Sequence, residues 1–177
     1  MRSVIGGLIA FLLGFAALHL IVLNALPGYI MSKARDRLSD SGLPIHSWRM
    51  SERVTPQTQT IVRPSPDLAY AVCLIDVSAG PVTLTVPTWP EYGSLSIFDA
   101  STNNVYSGSL DARLPDAPGI RRVLVALASQ DVPSQEGIDV VKVNKPEALA
   151  LIRRLAPSQG LYVAAAALGP VSACGPA

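Results

Sequence analysis

Apolar residues fill the chain from Val4 to Leu26 without one formal charge, and beyond that point the pattern changes. A bilayer core takes about 20 apolar residues in a helix. Backbone groups in lipid must be paired within the segment, so a run of this kind spans as a helix. Pro27-Gly28 closes it, and Tyr29 stands next, where an aromatic with a polar tip suits the interface. Ser32–Ser41 is polar and would carry the helix on into water. A cleaved signal peptide has a shorter apolar core and small residues at its cleavage point. The length of the run, and Asn24-Ala25-Leu26 in place of such a point, favour an uncleaved anchor over residues 1–31.

Further along, apolar residues come in short runs, several of period two. Residues 32–62 read as a membrane-proximal connector with one short strand around Ile45–Met50. Arg63-Pro64-Ser65-Pro66-Asp67 reads as rigid and extended, because each proline fixes its own φ and turns the residue before it away from helix. Ala69–Val77 and Pro81–Val86 are strands, joined by so short a link at Ser78-Ala79-Gly80 that they read as a hairpin. Tyr92–Phe98, Ile120–Ala126 and Ile138–Val143 are further strands. A helix is expected over Lys145–Ala156: Asn144 would cap it, Pro146 fits its first turn, and Glu147 stands in a capping-box position. Arg153-Arg154 would then sit at its C-terminal end as solvated dipole partners. Leu161–Leu168 is a last buried strand or short helix. The fold class is α+β, mainly β: one transmembrane helix, then a small antiparallel sheet or sandwich over residues 63–177 with one or two helices.

Charge narrows the partners. Arg2 carries the one side-chain charge before Lys33, which leaves 13 basic and 13 acidic residues beyond it. A neutral domain has no electrostatic footprint for nucleic acid. Inside the anchor, His19 and Asn24 are read as tolerated passengers. Gly7, Ala10, Gly14 and Ala17 form a small-residue face through which a homo-oligomer would pack. Lys33, Arg35 and Arg37 outnumber the positive charges at the N-terminal flank, which by that count points the domain to the cytoplasm. A short basic N-terminus ahead of a long apolar run equally fits a signal anchor that exports the domain behind it. Cys73 and Cys174 leave two readings open: a disulfide if the domain is exported, or two buried thiols.

Few motifs carry chemistry. There is no CxxC or HExxH, so neither metal nor cofactor is expected. No GxSxG elbow is present, and His46 is the one histidine outside the anchor. Carboxylates remain. Asp67, Asp76 and Asp99 flank strands and Glu91 lies in a turn; each is ordinarily a turn-former that bonds a nearby N–H. The densest polar set is Arg63, Asp67, Tyr70, Asp99, Asn103 and Asn104. Should the sheet bring Asp67 to Asp99, it would be the place for a site.

Three segments, RPSPDLAY at 63–70, LIDVSAGPVTLTVP at 74–87 and EYGSLSIFDASTNN at 91–104, resemble a bacterial family known as domain of unknown function 1254. Ser65 and Leu68 stand where that family's opening motif usually has Asn and Thr. The resemblance implies a β-rich domain, export to the periplasm, and a jelly-roll companion domain that in this case would be a separate partner. It lends no activity. The resulting expectation is a bacterial inner-membrane protein, held in the bilayer by residues 4–26, whose periplasmic β domain is a non-enzymatic binding or assembly partner. The alternatives are a hydrolase-like enzyme using Asp67, Asp99 and Tyr70, and a carbohydrate- or lipid-binding module with Trp48, Trp89 and Tyr92 as its platform.

Overall fold

The computed structural model describes residues 2–55, 64–115 and 117–177. Helix α1 runs from Arg2 to Asp40 with Pro27 inside it. At 1.5 Å per residue that is about 58 Å, well beyond the roughly 30 Å of a bilayer core. Every side chain from Val4 to Leu26 is exposed, and none packs on the rest of the chain. The helix is thus long and apolar enough to cross a membrane or to act as a signal sequence. Asn24 Nδ2 donates to Leu20 O at 2.8 Å, one turn back, so its amide is bonded inside the helix. The helix continues beyond the apolar stretch, through Ser32 to Asp40.

Among the described residues nine strands succeed the helix: β1 (Trp48–Met50), β2 (Leu68–Asp76), β3 (Val82–Pro87), β4 (Gly93–Asp99), β5 (Asn104–Ser109), β6 (Ile120–Leu127), β7 (Ile138–Val143), β8 (Glu147–Leu155) and β9 (Ala173–Pro176). They form two sheets, one ordered β1-β2-β8-β4-β5 and the other β7-β6-β3-β9. All these strand pairs are antiparallel except β6–β7, which is parallel. The core lies between the sheets. Ile75 and Val77 meet Val82, Leu84 and Val86 there, with Leu95, Ile97, Val123 and Val125, all essentially without exposure. Burying each such side chain stabilises the fold by about 1.5–3 kcal/mol.

Two expectations are corrected. Ala69–Val77 and Pro81–Val86 are strands but not a hairpin. β2 pairs with β1 and β8, whereas β3 pairs with β6 and β9 in the opposite sheet. Both segments have an inward face that must be covered, and crossing at Ser78–Gly80 sets those faces against each other. The segment Lys145–Ala156 is not a helix. Its residues Glu147–Leu155 form β8, the central strand of its sheet. Local propensity favoured helix, but a strand with neighbours on both edges gains more from the ladder and from burial. Ala148, Ala150, Ile152 and Arg154 all point inward at period two. The small alanines let the sheets approach.

Both open sides of the sandwich are fastened. On one, Cys73 of β2 is bonded to Cys174 of β9, and Trp48 Nε1 donates to Ala173 O at 2.9 Å. The disulfide reading is therefore the one realised. On the other, Asp139 of β7 accepts from Tyr106 Oη of β5 at 2.6 Å and from Arg121 Nη1 of β6 at 3.0 Å. Burial and the Asp139 carboxylate push the Tyr106 hydroxyl up to about 12, so it stays a donor. Helix α2 (Gln159–Ala166) begins after β8, with Ser158 as its N-cap. Of the two expected forms, strand or short helix, the helix is the one found, but the segment is not buried: only Ala165 within it is.

Candidate functional site

Asp67 and Asp99 are not brought together. In register, Leu68 lies opposite Leu155 at one end of β8, and Asp99 lies opposite Ala148 near the other. At about 3.3 Å per residue the two carboxylates are on the order of 20 Å apart. A carboxylate pair working on a glycosidic bond needs less than about 10 Å. Each half of the expected set instead builds its own turn. Tyr70 Oη accepts from the Ser65 N–H at 2.8 Å, Leu68 N donates to Ser65 O at 3.3 Å, and Ala156 N donates to Asp67 O at 2.7 Å. The Asp99 carboxylate accepts from Ser101 N at 2.8 Å and from Asn103 N and Nδ2, both at 2.9 Å. Partial burial works to raise its pKa, but those bonds prevail and hold it below the usual carboxylate value. The Asn104 amide nitrogen, in the orientation that bonds, donates to Tyr106 O and Ile97 O across the β4–β5 bulge. Arg63 lies outside the described residues.

The other candidates are likewise occupied in structure. His46, in a left-handed conformation with φ of 61°, places Nε2 at 2.9 Å from Asp76 O and 3.2 Å from Asp76 N. Trp89 is buried and donates to Leu155 O at 2.9 Å, and Trp48 holds β9, so the three aromatics do not form one open platform. Glu91 accepts from Arg113 at 2.7 Å at the surface. Gly93 is needed where β4 begins: a Cβ there would lie 2.9 Å from the Leu110 side chain.

Two places that the sequence did not single out carry the unusual chemistry, one at each end of β8. At the anchor end, α1 seats on the sheet. Arg35 reaches from the helix to the carbonyls of Ile75 and Ala148, and Met31 is buried beneath it. A cleft of about 420 Å³ opens beside them, and Asp36, Asp76, Lys145 and Glu147 line it. Burial lowers the Arg35 pKa, while the carboxylates of Glu147, Asp76 and Asp36 work to raise it. The charges of this end therefore answer one another. The Ser78 hydroxyl and N–H hold the Asp76 carboxyl below its usual value.

The far end is different. Arg154 is 4% exposed and faces the interior. Its Nη2 donates to Pro87 O at 3.2 Å, and its buried Nε has no partner among the described residues. Burial alone brings its pKa down to about 10, and no carboxylate among the described residues counters that. Over it lies α2, held by Ala165 against Ala69, Trp89 and Ala156, and by the Tyr162 hydroxyl donating to Ser51 O. The outer side of this segment is apolar: Leu161 is 37%, Val163 57% and Val171 59% exposed. No charged side chain comes after Arg154 in the sequence. Period-two reading of EALALIRRL would have turned Arg154 inward; the capping residues Asn144 and Glu147 point to a helix instead. Among the described residues no cluster of metal-ligating side chains occurs.

Comparison with known proteins agrees with this architecture. The VPA0106 protein from Vibrio parahaemolyticus shares the fold, with a TM-score of 0.62 at 17% identity over 87% of this chain and 37% of that one. An uncharacterized protein from Burkholderia cenocepacia aligns less well, with a TM-score of 0.44 at 13% identity over 68% of this chain and 33% of its own. The chain thus spans about a third of the length of these solved proteins. No curated protein matches it. The family model described as Protein of unknown function (DUF1254) matches residues 46–169, the greater part of the chain, and the protein belongs to that family.

Proposed function

We propose that this protein is a single-pass protein of the bacterial inner membrane whose periplasmic β domain holds a partner protein through α2, without catalysing a reaction. The observation that carries the reading is the outward apolar surface of α2 and its flank, Leu161, Val163 and Val171. Exposed apolar patches of this sort mark interaction sites. The patch lies past the end of β8 remote from α1, about 30 Å of strand away from the anchor, so the bilayer is not what covers it. Its occupant is a folded protein with a matching neutral, apolar face, and the jelly-roll companion implied by the family resemblance is the candidate. The Cys73–Cys174 bond supports the periplasmic side, because such bonds persist in oxidising compartments and are rare in the cytoplasm.

Extraction of membranes in mild detergent tests this. One companion should co-purify in fixed ratio, and Val163→Glu should release it while the domain stays folded. A monodisperse chain that captures nothing would contradict the reading. A reporter fused after Ala177 tests the side: activity of a cytoplasm-only reporter would refute export.

A further inference from the structure

The cleft between α1 and the sheet stands at a definite height above the apolar run. Its helix wall includes Gly28, Met31, Arg35 and Ser39, spaced by three and four residues and so on one face. At 1.5 Å per residue, Gly28 lies about 3 Å past Leu26 along the helix axis and Ser39 about 20 Å past it. The headgroup layer outside a hydrocarbon core is about 5–8 Å deep. The cleft therefore opens in that layer and rises out of it. At its foot the turn after β4 meets the helix, with the Ala100 carbonyl 3.7 Å from where a Cβ on Gly28 would lie. Asp76, Lys145 and Glu147 line the wall across from the helix. The two signs are in balance: Lys33 pairs with Asp36 at 3.3 Å, and Arg35 and Lys145 stand with Asp76 and Glu147. Arg35 is committed to the Ile75 and Ala148 carbonyls. The side chains of Lys145 and Glu147 are exposed and make no hydrogen bond or ion pair among the described residues; Lys145 lies in the field of Asp99, and Glu147 in that of Arg35. At about 420 Å³ the space falls within the roughly 300–1,000 Å³ of small-ligand sites.

We propose that this cleft binds the headgroup of an aminoethyl phospholipid, phosphatidylethanolamine in class, with its phosphate on Lys145 and its primary ammonium on Glu147 and Asp76. A wall with both signs in balance matches a ligand with both signs. An anionic headgroup would set its charge against the carboxylates. A quaternary ammonium has no N–H to give them, whereas a primary ammonium has three. Bonds between ionised partners are the strong ones. The acyl chains would lie along the exposed apolar residues of α1 below the cleft, such as Leu23 and Leu26. The proposal rests on the single-pass part of the function proposed above and not on docking at α2.

Two measurements on the full chain test it. Flotation with vesicles of phosphatidylcholine, alone or mixed with phosphatidylethanolamine or phosphatidylglycerol, tests the anchor; the chain should insert in all three. Native mass spectrometry from mild detergent then reads which lipid stays bound when the three are offered in equal amounts. One phosphatidylethanolamine per chain should be retained, roughly tenfold over either of the others. Lys145→Gln and Glu147→Gln change exposed side chains outside the core, and each should remove most of that preference. Arg122→Gln, which removes an exposed cation from β6 in the other sheet, should leave it intact. Soluble glycerophosphoethanolamine should compete weakly, because it lacks the acyl chains. Equal retention of the three lipids, a preference for phosphatidylglycerol, a preference that survives both cleft variants, or a soluble headgroup bound as tightly as the lipid would overturn the proposal and leave the anchor standing. A chain that floats with none of the vesicles would overturn both.

Discussion

Arg35 and Arg154 stand at opposite ends of β8 in opposite circumstances. Arg35 is half-buried, bonded to two carbonyls, and has three carboxylates in its field. Arg154 is nearly fully buried, bonded to one carbonyl, and has none among the described residues. The anchor end is rich in charge and settles its electrostatics internally. At the far end the surface charges of Glu91, Asp111 and Arg113 pair with one another, while the buried Arg154 has no carboxylate among the described residues and the outer face of α2 is apolar. On the function proposed above, one end holds the domain to its helix and the other is where a partner would dock.

The contrast depends on the two sheets staying fastened between the ends, and the largest effect should come from undoing that. Replacing Cys73 and Cys174 by serine opens a crosslink between residues separated by 101 positions. Loop entropy at that length corresponds to about 4–5 kcal/mol. Denaturant unfolding of the oxidised protein against the double variant measures it. Next, Arg35→Met removes the bonds to Ile75 O and Ala148 O and strips the proximal carboxylates of their cation. The seating of α1 should weaken by about 2 kcal/mol, the scale for hydrogen bonds to a charged group. Faster amide exchange over Met31–Asp40 would report it, with the sandwich itself unaffected. Arg154→Met should act in the opposite direction. Replacing a buried charge that has no counter-charge by an apolar chain of similar length is expected to gain about 1 kcal/mol, seen as a raised denaturation midpoint. A loss of equal size at both ends would erase the contrast.

The smallest effect concerns pH. Ser78 holds the Asp76 carboxyl below its ordinary value in the folded protein. Its folded pKa is lower than its unfolded one, so its contribution is present above the unfolded value of 3.8 and is lost as pH falls through the folded one. Asp76→Asn should therefore cost a few tenths of a kcal/mol at pH 7, the scale of a partly exposed carboxylate. The variant and the wild type should converge in acid. At the far end Asp111, held down to about 2 by its bonds with Arg113, should show a dependence of the same sign.

Much of this was legible in the sequence, and the misses share a physical cause. Val4–Leu26 and the alternation in Val82–Val86 are long or regular enough to read alone. So was the role of Asp99, whose turn-forming habit described its bonds to Ser101 and Asn103. What failed was whatever depended on a partner distant in the chain. Glu147–Leu155 has helix formers and a cap, yet β2 and β4 claim both its edges. Ser78–Gly80 is as short as a hairpin turn, yet Val77 N finds Pro146 O instead. The set looked dense because each half of it, around Asp67–Tyr70 and around Asp99–Asn104, is compact in sequence, whereas the sheet sends the two halves to opposite ends. Arg154 was hidden for the same reason: in a helix it would have been solvated, but in a central strand its parity turns it inward.

The central claim is that the α2 end meets a partner and the anchor-side charges do not. Site-directed photo-crosslinking in intact membranes tests it most directly, with the probe placed at Val163 in one strain and at Lys145 in another. A single discrete adduct to another protein from Val163, and none from Lys145, is the expected outcome. No adduct from Val163, or the same adduct from both positions, would contradict it.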